Sequence, residues 1–127
     1  MGLIRKRLSF VGRRRKKEVE CLFDAGASSS FIRPELVREL DLPTTNLLRS
    51  VRIRLGKGST RCRVSQLAAT MIRLNGVALP DTAYVMPGLT EEYVLGSEFL
   101  ERYDIRLDPK RRRLLLPPKR RLSLILV

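Results

Sequence analysis

Asp24 is the residue of this sequence whose surroundings are best suited to chemistry. It ends the apolar segment Cys21-Leu22-Phe23 and is followed by small residues from Ala25 to Ser30, including Gly26. Small neighbours let another backbone approach the carboxylate closely, and glycine permits tight local geometry. The same pattern is common in ordinary β-turns, where Asp, Gly and Ser bond to the backbone. By itself the segment therefore leaves a plain turn and a reactive carboxylate both open.

The sequence contains no histidine, and this limits the chemistry available to it. Ser–His and Cys–His nucleophilic mechanisms are excluded, and so are the usual zinc sites. The two cysteines, Cys21 and Cys62, are expected to be reduced thiols, and we predict no metal or cofactor. An enzyme built from this chain would have to use carboxylates, lysines, tyrosines or hydroxyls as its acids and bases.

A second segment has the same order of features as the first. Tyr93-Val94-Leu95 is apolar, Gly96 follows, and a short helix is predicted from about Ser97 to Tyr103. The first segment likewise reads as an apolar strand, a turn containing glycine, and a short helix. About 70 residues separate the two segments, and Gly56-Lys57-Gly58 lies between them.

Together the two segments resemble the retropepsin-like aspartic proteases, the fold of retroviral and retrotransposon proteases and of compact prokaryotic relatives. Asp24-Ala25-Gly26-Ala27 matches that family's Asp-Thr/Ser-Gly-Ala motif, and Val94-Leu95-Gly96 matches the strand that threads beside it. Gly56-Lys57-Gly58 falls where the family places its mobile flap. The resemblance covers roughly residues 18–116. It implies an all-β closed barrel of the acid-protease type, with one or two short helices and a flap hairpin.

This resemblance implies an aspartic endopeptidase that acts as a homodimer on a peptide or protein substrate, because one chain offers one aspartate motif. The two copies of Asp24 would share one proton, one activating a water as general base and the other serving as general acid. No cofactor is implied. The active-site loop would be Ala25, Gly26 and Ala27, and the implied substrate-binding residues are Ser28, Ser29, Leu55, Gly56, Lys57, Gly58, Val94 and Leu95.

Ala25 departs from the family pattern. The family usually has Thr or Ser at this position, and its hydroxyl braces the two loops across the dimer axis. A methyl group can neither donate nor accept a hydrogen bond, so we expect a weaker dimer. A catalytically weak or inactive retropepsin-like dimer therefore remains an alternative function.

Short strands and turns must position these residues. Alternating apolar residues predict strands at 18–23 and 51–55 and from about 61 to 74. Asn75-Gly76 predicts a two-residue hairpin turn, because both residues tolerate a positive φ. The segment 106–114 resembles a closing strand–turn–strand. A further helix is predicted to start at Pro34, with an apolar face formed by Leu36, Val37 and Leu40.

We predict one domain over residues 1–127, made of a basic N-terminal strand and hairpin (1–17), a core (18–116) and a C-terminal strand (117–127). The apolar run 122–127 is expected to lie at the dimer interface. The remaining acids are interpreted as caps and turns (Asp41, Asp81, Asp104, Asp108) or as a solvated loop (Glu91, Glu92), and the tyrosines as core residues (Tyr84, Tyr93, Tyr103).

The net charge of +13 is concentrated at the ends of the chain. Residues 1–17 hold eight Lys or Arg, residues 109–127 hold seven, and neither segment contains an acid. These runs leave a second alternative open, a basic nucleic-acid-binding β protein. They contain no interleaved aromatics for base stacking, however, and charge also keeps strand edges soluble. The sequence has no apolar stretch long enough to span a membrane and no signal-peptide core, so we expect a cytoplasmic protein.

Overall fold

The computed structural model describes residues 3–54 and 61–125, and the predicted flap residues Leu55, Gly56, Lys57 and Gly58 lie outside that part of the chain. The described residues form nine strands, three α-helices and one 3₁₀ turn. The strands are β1 (Leu3–Val11), β2 (Lys16–Asp24), β3 (Ser30–Ile32), β4 (Thr44–Arg54), β5 (Arg61–Leu74), β6 (Val77–Val85), β7 (Tyr93–Leu95), β8 (Arg106–Asp108) and β9 (Arg113–Leu115). The helices are α1 (Pro34–Leu40), α2 (Ser97–Arg102) and α3 (Lys119–Ile125), and the 3₁₀ turn is Pro109–Arg111.

Six of these strands close into a barrel. The order in the main sheet is β1-β2-β7-β3-β6-β5-β4, and β1 also pairs with β5 through Ser9–Arg73 and Phe10–Ile72. That last pairing joins the two ends of the sheet and leaves β4 as an added edge strand. The prediction of an all-β closed barrel with short helices is confirmed.

Alternation in the sequence produces the wall of the barrel. Along β2, the side chains of Val19, Cys21 and Phe23 are buried, while the residues between them face outward. Successive side chains of a strand point to opposite faces, so this register buries one apolar row. Asn75 and Gly76, with φ of 50° and 75°, make the predicted tight turn between β5 and β6. This backbone suits a two-residue hairpin.

The two predicted helices are present. Pro34 occupies the first turn of α1, and Leu36 and Leu40 are buried on its inner face. The helix ends at Asp41, which has a left-handed φ of 50°, a conformation that Asp and Asn adopt more readily than most residues. In α2, Phe99 and Leu100 are buried.

The C-terminal segment corrects one prediction. Residues 106–115 form the predicted strand–turn–strand, but residues 119–125 are the helix α3 rather than a strand. Pro117 and Pro118 interrupt the extended chain, and the Pro118 carbonyl accepts hydrogen bonds from Arg121 and Leu122 in the first turn. Leu122 is fully buried in the main core of its own chain. Helical spacing thus lets one leucine reach the core while the arginines before it stay exposed.

Among the described residues, no helix is long and apolar enough to cross a membrane.

Candidate active site

Asp24 is the last residue of β2 and is half-buried. Its Oδ1 atom accepts a hydrogen bond from the Gly26 backbone N–H at 2.9 Å, and its carbonyl accepts one from the Ala27 N–H at 3.1 Å. The loop therefore turns back on the carboxylate that starts it, as Asp side chains commonly do in turns. This fixes the orientation of the carboxylate while its surface remains accessible.

β7 runs between the two strands that flank this loop. It pairs in parallel with β2, placing Leu22 beside Val94 and Phe23 beside Leu95. On its other side it pairs antiparallel with β3, which begins just after the loop. The strand that leads into the loop and the strand that leaves it are thus joined through β7. In this register Gly96 comes level with Asp24.

The start of α2 holds the loop by backbone contacts. The N–H of Ser97 donates to the Ala27 carbonyl at 2.7 Å, and the N–H of Glu98 donates to the Ser28 carbonyl at 3.1 Å. Gly96 makes this approach possible. A Cβ atom added there would lie 2.8 Å from the Ala27 oxygen and 2.7 Å from the Ser29 carbonyl carbon. The second segment identified in the sequence therefore holds the first in place. We call these backbone contacts of residues 96–98 with the Asp24 loop the clamp.

The loop opens on a cleft of about 500 Å³. Five of the predicted site residues line it: Asp24, Gly26, Ala27, Ser28 and Val94. Sequence reasoning missed the other residues that line it, which are Leu3, Leu22, Phe31, Ile53, Arg54, Leu89, Thr90 and Glu91. Leu22 and Phe31 each lie beside Val94 in the strand register, and local sequence pattern gives no signal of that pairing.

Three other predicted residues lie elsewhere. Leu95 is fully buried in the main core, where its side chain cannot touch a substrate in the cleft. Ser29 is half-buried, and its carbonyl faces Gly96. Ala25 is exposed and borders a separate depression beside α2, which includes Leu100 and Leu107.

Comparison with known proteins agrees with this geometry. A profile of the gag-polyprotein putative aspartyl protease family matches residues 12–102, a stretch that holds the Asp24 loop, β7 and α2. The chain belongs to this family. Among curated protein sequences, none matches the chain.

Solved aspartyl protease structures share the fold. The retroviral protease-like domain of Ddi1 from Leishmania major superposes with a TM-score of 0.62 at 18% identity, over 91% of this chain and 89% of that one. EIAV protease, solved with the inhibitor HBY-793, gives 0.61 at 16% identity, over 82% of this chain and 92% of that one. The predicted retropepsin-like fold is confirmed.

The loop before β7 is bonded to strands β1 and β2 at the edge of the cleft. Glu91 forms an ion pair with Arg5 of β1 at 3.2 Å. Glu92 accepts a hydrogen bond from the Glu20 N–H at 3.0 Å and lies 3.8 Å from the Lys17 ammonium. The interpretation of Glu91 and Glu92 as a merely solvated loop was wrong, because both are partly buried against β1 and β2.

Asp81 is the second correction. It lies in the middle of β6 and is buried, rather than capping an element. Its Oδ2 atom lies 2.7 Å from the Tyr93 hydroxyl, Tyr93 lies 3.1 Å from the Thr70 hydroxyl, and Thr70 donates to the Asp81 carbonyl at 3.2 Å. In the first of these contacts the Tyr93 hydroxyl donates to the carboxyl of Asp81. Burial raises the pKa of this carboxyl, and the hydrogen bond from Tyr93 partly opposes that shift.

Proposed function

We propose that this protein is an aspartic endopeptidase in which Asp24 from two copies forms the catalytic pair. The observation that carries this proposal is the position of Asp24: it ends a barrel strand, sits in a loop of small residues clamped by Gly96 and α2, and lines an open cleft. Family membership makes peptide hydrolysis the reaction that best fits this arrangement.

The proposed chemistry needs two chains. Each chain supplies one such aspartate, and Ala25 and Gly26 next to it are exposed, so the loops of two copies are free to meet. Two carboxylates about 3 Å apart share a single proton. The ionised member takes a proton from water as the water oxygen attacks the scissile carbonyl carbon, and the neutral member gives its proton to the carbonyl oxygen. When the C–N bond then breaks, the carboxyl that took the water's proton passes it to the leaving amine, and the other carboxylate recovers a proton from a hydroxyl of the tetrahedral intermediate. The pair titrates as a unit.

The cleft suits an extended peptide with apolar side chains. Leu22, Phe31, Ile53 and Val94 give it an apolar lining, while the Gly26–Ser28 loop presents backbone groups. Extended peptides bind such sites through backbone hydrogen bonds, and pockets for alternate side chains select the sequence.

Substitution of Asp24 tests the proposal directly. Wild-type protein and the Asp24→Asn variant are incubated with a mixed peptide library from pH 4 to 7, and cleavage is read by mass spectrometry. Asp41→Asn is the matched control, because Asp41 is an exposed helix C-cap whose left-handed backbone Asn adopts equally well. We expect cleavage by wild type and Asp41→Asn, no cleavage by Asp24→Asn, inhibition by hydroxyl-bearing transition-state mimics and no effect of chelators. Cleavage that persists in purified Asp24→Asn would refute the assignment.

Ala25 supports one competing function, a dimeric module with little or no activity. The exposed methyl group cannot supply the hydroxyl that braces the paired loops in the family. Sedimentation velocity separates the two functions when combined with the cleavage assay. A dimer that cleaves nothing at any pH favours the module, whereas activity that rises with dimer concentration favours the enzyme.

A further inference from the structure

Arginines occupy one face of the paired segments 51–54 of β4 and 61–64 of β5, which we call the flap hairpin. Arg52 pairs directly with Arg63 across the two strands, and Arg54 pairs with Arg61. The two pairs are two residues apart along each strand, so all four positions share one face. The side chains of Arg52, Arg54 and Arg63 are exposed. We call this surface the arginine face.

The opposite face of the flap hairpin is apolar. Val64 is fully buried, and Ile53 and Cys62 pack against the small core cluster around Phe31 and Val94. The hairpin is therefore two-sided: its apolar side covers the cleft, and the arginine face is turned to solvent. Arg54 reaches the rim of the cleft.

No ion pair involves Arg52, Arg54 or Arg63 among the residues that the structure describes. Residues 42–80 contain seven Lys or Arg and no Asp or Glu. Elsewhere in the described chain basic clusters carry counter-ions: Arg15 and Lys17 pair with Glu39, and Asp108 lies 3.3 Å from Arg113. Every ion pair found among residues 3–54 and 61–125 lies outside the flap hairpin.

Like charges placed directly across an antiparallel pair destabilise it. The flap hairpin has two such pairs in succession, Arg52–Arg63 and Arg54–Arg61. Binding of an anion with regularly repeated charges would relieve the repulsion between these arginines. Alternate residues of a strand stand about 7 Å apart, and cross-strand neighbours about 5 Å apart. Guanidinium groups at these spacings present planar donor forks, which match phosphate oxygens bidentately.

We propose that the arginine face binds the phosphodiester backbone of nucleic acid. Guanidinium groups bind phosphate oxygens, and contacts to phosphates carry no sequence information directly. We therefore expect binding along the backbone, with little dependence on sequence. This interaction goes beyond peptide hydrolysis and does not depend on it, because phosphate binding by these arginines uses neither Asp24 nor the apolar lining of the cleft.

The test measures binding of a fluorescent 20-base-pair duplex by anisotropy at several salt concentrations. The test variant is Arg52→Gln/Arg63→Gln, which removes one cross-strand pair. The matched control is Arg13→Gln/Arg14→Gln at the exposed β1–β2 turn, which lowers the net charge equally. We expect the test variant to lower the slope of log K against log salt by about 1.8 and to bind roughly tenfold more weakly, while the control stays close to wild type.

Several results would overturn the proposal. Equal losses in both double variants would show that net charge alone drives binding, and no loss in the test variant would place the contact elsewhere. Tighter binding to polyglutamate or to phosphatidylserine vesicles than to duplex would assign the face to an acidic protein or a membrane. If the test variant does not fold, hydrogen exchange of the wild-type protein tests the proposal instead. The exchange rates of the backbone amides of 51–54 and 61–64 must then fall when duplex is added.

Discussion

Replacing Gly96 by alanine tests whether the clamp on the Asp24 loop is as tight as its contacts indicate. The backbone of Gly96, with φ of −94°, is one that any residue adopts, so the cost is purely steric. The new Cβ would lie 2.7 Å from the carbonyl carbon of Ser29 and 2.8 Å from the oxygen of Ala27. These are backbone atoms and cannot swing aside as a flexible side chain would.

The magnitude follows from the two effects of this clash. Overpacking costs about 1–3 kcal/mol. Pushing the loop away also weakens the hydrogen bonds that Ser97 and Glu98 donate to it, at about 0.5–1.5 kcal/mol each. The expected loss is about 2–6 kcal/mol, against a total of about 5–15 kcal/mol for a typical domain. With a urea m-value of about 2 kcal/mol/M, in the middle of the usual range, the unfolding midpoint falls by about 1–3 M.

Urea unfolding followed by circular dichroism measures the loss in the free energy of unfolding. The rate of peptide cleavage reports whether the shift of the loop also disturbs Asp24. The control is Gly88→Ala, because an added Cβ there meets nothing within 4 Å and only the φ of 81° opposes it. That variant should lose about 1–2 kcal/mol and keep its cleavage activity. If Gly96→Ala is as stable as wild type, or loses no more than Gly88→Ala, the backbone contact between β7 and the loop is not the clamp described above.

Three further outcomes are expected. Burial raises the pKa of Asp81. The contribution of its carboxyl to the free energy of unfolding is therefore complete below the unfolded-state pKa of about 3.9, and it is lost as pH rises through the folded-state pKa. Asp81→Asn should abolish that fall in urea titrations between pH 3 and 8, and an unchanged pH dependence would contradict the burial argument. Iodoacetamide should alkylate the partly exposed Cys62 and spare Cys21, whose pKa is raised well above its ordinary value by burial; mass spectrometry that finds Cys21 labelled in folded protein would refute this. Ala25→Thr should tighten the dimer about tenfold or more, because each regained hydrogen bond contributes about 0.5–1.5 kcal/mol; a dimer constant unchanged in sedimentation would remove the bracing role of this position.

The two segments of the site could be recognised in the sequence because each has a local pattern, although the contacts between them join residues about 70 positions apart. A strand ending in Asp24 and a strand ending at Gly96 each appear as short apolar runs with small residues behind them. Strand existence also followed from alternation, as in β2 and β5. The residues that line the cleft were harder to predict, because Leu22 and Phe31 face it only after β7 has inserted between their strands.

Two misses have physical causes. Asp81 follows a proline, which favours a turn, yet it also falls on the buried alternation of β6, which runs from Val77 through Leu79 to Val85. Asp81 takes the buried strand position rather than a turn because the Tyr93 hydroxyl donates a hydrogen bond to its carboxyl inside the core. The terminal run containing Leu122 has the composition of a strand, but Pro117 and Pro118 interrupt the extended chain, and the helix that follows buries this leucine in the core. Such tertiary packing is not encoded in local pattern.

The insertion of β7 between β2 and β3 also sets when the site can exist. The strands on either side of the Asp24 loop leave the ribosome early, but their shared partner, Tyr93–Leu95, is made much later. At roughly 5 to 20 residues per second, several seconds of synthesis separate the two. Until then the aspartate loop has no clamp, and a nascent or prematurely ended chain lacks a formed cleft. The topology thus couples formation of the Asp24 loop to completion of the barrel, because the loop is held in place only after β7 and the start of α2 have been translated.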